Sequence, residues 1–138
     1  MTGGSGYIGS HIAVELIQSH HEVVLLDDPS NSSPVVVTRI EQITGVRPLL
    51  VQMSLPDPRP RTLFEEHVFD AVIHLAGLKS TPESVQHPAN YYYNNVGGSA
   101  LLMDVIREHP TQLIFSSSAT VYGRIGIDAY RHSEQFIW

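Results

Sequence analysis

The chain has 138 residues, enough for one domain with a sizeable core and too few for two full domains. Hydrophobic residues make up 42% and charged residues 16%, a globular composition, and a net charge of -6 with a single lysine, Lys79, excludes a nucleic-acid partner, whose phosphates need clustered Lys and Arg. The absence of cysteine excludes disulfide and thiolate-metal chemistry; no apolar run approaches the roughly 20 residues of a membrane helix, and no signal-peptide pattern opens the chain, so a cytoplasmic protein is expected.

In chain order, Ile8, Ile12, Leu16 and Ile17 recur at helical spacing behind a glycine-rich start. Residues 23–26 are β-branched and aliphatic and predict a strand that ends at Asp27 and Asp28. Residues 29–34 form a polar turn that offers Ser32 or Ser33 as an N-cap, with Pro34 at the first helical position. Ile40 and Ile43 mark the helix that follows, and Gly45 is its stop. Residues 49–51 read as the second strand. Pro56, Pro58 and Pro60 then delay the next helix to residues 63–67.

Residues 71–75 predict a buried strand that runs into Ala76 and Gly77. A long helix is expected over residues 91–108, with Val96, Ala100, Leu101 and Val105 at core spacing and Pro110 beyond its end. Residues 113–115 form the last strand, which opens into Ser116, Ser117 and Ser118. Strands alternating with helices predict an α/β fold, a doubly wound parallel sheet with helices on both faces.

The chemistry is concentrated near the start. Gly3, Gly6 and Gly9 stand three apart at the mouth of the first helix, where residues without a Cβ let backbone amides approach a pyrophosphate. A flexible glycine-rich arm would show the same triplet. Asp27 closes the second element at about the distance where dinucleotide folds place an acid for the adenosine ribose, which favours NAD over NADP. Asp27 and Asp28 also suit a plain turn. Among the eight histidines only His20 and His21 are close neighbours, so no metal site is expected.

Five segments in order, TGGSGYIGSH, LLDDPSNSS, VIHLAGLKS, ESVQHPANYYYNNVGGS and IFSSSATVYG, resemble the successive signatures of UDP-glucose 4-epimerases, in the extended short-chain dehydrogenase/reductase group. The resemblance covers about residues 1 to 123. Related sugar-nucleotide dehydratases carry Asp-Glu before Val-Tyr-Gly, where this chain has Ala119-Thr120. The resemblance implies a Rossmann-like domain over residues 1–123 with NAD as cofactor and a UDP-sugar as partner. It implies an isomerase of galactose metabolism, and it leaves a homodimer open. Gly3, Gly6, Tyr7, Ile8 and Gly9 would surround the pyrophosphate, and Asp27, Asn31 and Ser32 would hold the adenosine ribose region. Ala76, Gly77 and Lys79 would line the cofactor, Asn95 would touch it from the long helix, and Ser118 would be the catalytic hydroxyl on the reacting sugar.

Several features depart from that pattern. In the family a Tyr and a Lys four residues later carry the proton transfer, the lysine charge lowering the tyrosine pKa. Here Tyr130 is followed at that spacing by Glu134, whose charge acts the opposite way, so Tyr130 receives no catalytic role. Residues 124–138 read as a divergent tail, with a truncated remnant of the family's catalytic helix as the alternative. The family's aliphatic first strand is represented only by Met1 ahead of Thr2, its Gly-Asp after the third strand appears as Gln52-Met53, and its substrate domain has no counterpart. The expectation is an incomplete sheet and an inactive fragment. The rivals are a non-catalytic nucleotide- or partner-binding module and a truncated product without function.

Overall fold

The computed structural model describes residues 1–28, 33, 35–57 and 60–118. Its helices are α1 (Tyr7–Gln18), α2 (Val35–Thr44), α3 (Pro60–Glu66), α4 (Thr81–Gln86), α5 (Pro88–Tyr91) and α6 (Gly98–Arg107), with a π-helical segment, Tyr92–Gly97, joining α5 to α6. The strands are β1 (Val24–Asp27), β2 (Leu49–Gln52), β3 (Ala71–His74) and β4 (Gln112–Phe115). β1 pairs in parallel with β2, Val24 opposite Leu49, and β3 pairs in parallel with β4, Ala71 opposite Gln112.

A single residue joins the two pairs. Thr2 forms parallel bridges to Leu26 on one side and His74 on the other. Its N–H donates to the Ile73 carbonyl at 2.9 Å and its carbonyl accepts from Leu75 N–H at 3.1 Å. Gly3 N–H donates to Leu26 O, Leu26 N–H donates to Met1 O, and the Met1 amine donates to Val24 O at 2.6 Å. Each such bond contributes about 0.5–1.5 kcal/mol net, and far more is lost if a buried partner is left unmet. The expectation that β1 and β3 would face each other unpaired is therefore corrected. Three residues suffice to splice the order β2-β1-Thr2-β3-β4.

Side-chain alternation along β1 builds the two layers. Leu25 is fully buried on one face with Ala13 and Ile17 of α1 and Val37 and Ile40 of α2. Leu26, on the other face, packs with Met53 and Leu55. On that same side Val72 meets Phe64 of α3 and Leu102 and Val105 of α6. Helices thus cover both faces, as the alternation of elements predicts.

Three local expectations differ from what is observed. Helix α3 starts at Pro60, not at residue 63, because a proline in the first turn has no N–H to lose. Helix α4 buries none of its residues, so no apolar period announced it. The long helix expected over residues 91–108 is interrupted by i→i+5 bonding at Tyr92–Gly97. The predicted boundary at residue 123 and the tail at 124–138 lie outside the described residues. No helix among the described residues is long and apolar enough to cross a membrane.

Burial separates two side chains that look alike in the sequence. Leu25→Ala should cost about 2–5 kcal/mol of unfolding free energy, whereas Ile114→Ala, on a strand whose four residues are all exposed, should stay within about 0.5 kcal/mol. Urea unfolding of the two variants beside the parent chain measures the contrast.

Candidate functional site

The carboxyl ends of β1 and β3 open onto a cleft of about 400 Å³. It is lined by Gly3, Gly6, Tyr7, Ile8 and Gly9 from the first turn, by Asp27 and Asp28 after β1, and by Leu75, Ala76, Gly77, Leu78 and Lys79 after β3. Met53 and Leu55 add an apolar wall beyond β2, and Asn94 and Ser116 close the far side. Of the residues singled out by sequence, Gly3, Gly6, Tyr7, Ile8, Gly9, Asp27, Ala76, Gly77 and Lys79 are brought together here. Asn31 and Ser32 lie outside the described residues.

The glycines at 3 and 9 are fixed by close approach. Gly3 has φ +67°, and a Cβ on it would stand 2.7 Å from Ala76 N. A Cβ on Gly9 would stand 2.2 Å from the Gly3 carbonyl oxygen. That tight turn points the start of α1 at the cleft. Gly6 caps the helix without any side-chain hydrogen bond, and the first intrahelical bond is Ser10 N–H to Gly6 O. The N–H groups of Tyr7, Ile8 and Gly9 therefore have no intrahelical acceptor, and the positive end of the helix dipole lies with them. N–H groups in this arrangement suit an anionic group.

Asp27 is held across from that turn. Its Oδ2 accepts from Ser5 N–H at 2.7 Å and from Ser5 Oγ at 2.5 Å, and its Oδ1 accepts from Asp28 N–H at 2.9 Å. Asp28 accepts in turn from the Ser54 hydroxyl. Gln52-Met53, where the resemblance led to the expectation of Gly-Asp, puts a buried Met53 against the cleft, with its N–H on the Asp27 carbonyl at 3.0 Å.

Asn95 braces one wall of the cleft. Its amide oxygen accepts from Leu78 N–H at 2.7 Å and its amide nitrogen donates to Leu78 O at 3.0 Å, so it grips the loop that carries Gly77 and Lys79. Asn94 lines the cleft and donates to Asn95 Oδ1. Ser118 is exposed beyond β4, and Ser116 is the serine of that run that lines the cleft. Lys79 and Ser118 follow the carboxyl ends of the paired strands β3 and β4.

Among the described residues the buried polar ones are Thr2, Ser5 and His74; His74 lines the cleft, and the other two bond to Ala76 and Asp27, which do. The Ser99 hydroxyl donates to Asn95 O, so His74 Nε2 must donate to Ser99 Oγ at 2.9 Å. His74 Nδ1 then accepts from Thr2 Oγ1 at 2.5 Å, and Thr2 Oγ1 accepts from Ala76 N–H. The ring is neutral in this arrangement. Burial, and then the Lys79 charge, hold its pKa below the ordinary 6.5. Neither the Ser5–Asp27 pair nor this chain from Thr2 to Asn95 was anticipated. Ser5 looks like a spacer between glycines, and His74 is one polar residue in an apolar strand.

The model of the NAD dependent epimerase/dehydratase family matches residues 1–135. Curated UDP-glucose 4-epimerases of Neisseria gonorrhoeae and Bacillus subtilis (strain 168) are 48% and 45% identical over 125 residues, which is 89% of this chain. The chain spans 37% of the length of each. A UDP-glucose 4-epimerase of Stenotrophomonas maltophila, solved with NAD and formylated UDP-arabinopyranose bound, superposes with a TM-score of 0.85 at 49% identity. That match covers 90% of this chain and 38% of the other. The enzyme of Bifidobacterium longum, solved with NAD+ and UDP, gives 0.84 at 43%, covering 88% and 37%.

The lowered His74 pKa has a definite sign. Below 6.5 the unfolded chain binds a proton that the folded chain resists, so stability is full above that value and declines as pH falls from it toward the lower folded pKa. Denaturation midpoints at pH 7.5 and 5.5 should drop for the parent chain, and the drop should shrink in His74→Asn.

Proposed function

The chain belongs to the NAD dependent epimerase/dehydratase family, and we propose that its cleft is the NAD site of a UDP-glucose 4-epimerase, of which these residues are the cofactor-binding portion. The observation that carries the proposal is the cradle of Gly3, Gly6 and Gly9 at the open end of α1, facing Asp27 across one cleft. The residues fit a dinucleotide. Unpaired N–H groups of Tyr7, Ile8 and Gly9 suit the pyrophosphate, and the Asp27 carboxylate suits ribose hydroxyls while repelling a 2′-phosphate. Met53 and Leu55 offer an apolar wall to the base. Ala76, Gly77 and Lys79 line the path toward the nicotinamide, and Asn95 holds that path in shape through Leu78. Asn31 and Ser32 complete the ribose region in this reading.

When bound, NAD would accept and return the sugar hydride in the interconversion of UDP-glucose and UDP-galactose. Ser118 would hydrogen-bond the sugar hydroxyl, and the setting would be the cytoplasm. These 138 residues contain no Tyr-x-x-x-Lys pair, and general acid–base assistance of that kind contributes about 10²–10⁴-fold. A second reading, a nucleotide-binding module, rests on the same cradle of Gly3, Gly6 and Gly9 facing Asp27.

Titration calorimetry of the chain with NAD tests the site. Binding is expected, with a loss of at least about tenfold in Gly9→Ala, because the new Cβ would collide with the Gly3 carbonyl. No heat with NAD would overturn the reading.

A coupled assay with UDP-galactose and added NAD should give no turnover above background. Turnover abolished by Ser118→Ala would overturn the expectation of inactivity. NAD binding without turnover is the result expected of a cofactor-binding portion, and it leaves the reading of the cleft standing.

A further inference from the structure

We propose that Ser5 is a positioning residue that locks the Asp27 carboxylate, so that the pyrophosphate cradle and the ribose acid act as one unit; this rests on the reading that the cleft takes NAD. Ser5 is only 6% exposed and sits between Gly4 and Gly6, inside the turn that aims α1 at the cleft. It contributes two donors to a single oxygen, its N–H at 2.7 Å and its hydroxyl at 2.5 Å from Asp27 Oδ2. Both are charge-assisted, the stronger kind of hydrogen bond.

A carboxylate offers about four acceptor positions. Ser5 takes those at Oδ2, and Asp28 N–H takes one at Oδ1. The oxygen left for the ribose is Oδ1, and its direction is set before any ligand arrives. Order in the turn and order in the acid are consequently the same event. A ligand that straightens one pays less to engage the other.

The test is a double-mutant cycle on the full chain, with NAD binding read by calorimetry. Ser5→Ala keeps the N–H bond and removes the hydroxyl. In the parent it should weaken NAD about three- to tenfold. In an Asp27→Asn background, where the charge that Ser5 locks is gone, the same change should cost less than about twofold. Should Ser5→Ala fail to fold, Ser5→Cys, nearly the same shape with a weak donor, carries the same comparison.

Equal losses in both backgrounds would overturn the proposal, since Ser5 would then act through the turn alone. So would a parent-level affinity in Ser5→Ala. If the parent itself binds no NAD, the reading of the cleft fails first. If NAD binds and the cycle is additive, only the role of Ser5 fails.

Discussion

The sheet hangs on the hydrogen bonds of Met1, Thr2 and Gly3. Without them β1–β2 and β3–β4 would be two separate ladders, each too small to persist in water. With them, Leu26 and His74 are held on either side of Thr2, and the carboxyl ends of β1 and β3 come level. A cleft exists only because those ends are level. The same rung sets the helical layers, because Leu25 and Leu26 can face opposite cores only when β1 lies inside a sheet.

The site uses that constraint twice. Residues 2 to 9 are ladder, turn and helix start in succession, so little slack separates the Thr2 bridge from the unpaired N–H groups of α1. Thr2 also works through its side chain, which reaches His74 and thence Ser99 and the helix that carries Asn94 and Asn95. The backbone of one residue joins the strands, and its hydroxyl joins the sheet to the helix above it. A rim with no slack is what a ligand with several separated contact points requires, since each loose element would add its own ordering cost on binding.

Much of this was legible. Short aliphatic runs bounded by polar turns located all four strands, and the glycine spacing with Asp27 located the cleft. The failures share one cause. Pattern reading needs several residues in phase, and the missed features are single residues or polar ones. Thr2 makes a strand of one residue. Ser5 and His74 are polar side chains whose value comes from partners 22 and 72 positions away. Helix α4 buries nothing, so it carries no period. Asn95 was readable as important, but its hold on Leu78 was not, because sequence does not show which backbone an amide braces.

The π-helical segment stores information in an unusual form. In an α-helix each residue advances the face by about 100°. The wide turn at Tyr92–Gly97 absorbs a residue, so that Asn94 reaches the cleft while Asn95 beside it holds Leu78 and Ser99 still meets His74. What matters there is the count. A substitution at an exposed position such as Tyr92 or Tyr93 leaves that count untouched, whereas a one-residue deletion would return the segment to α-helical winding and take Asn94 or Asn95 off its present place, while Ser99 beyond it keeps its own. This stretch of the chain is thus tolerant of spelling and intolerant of length.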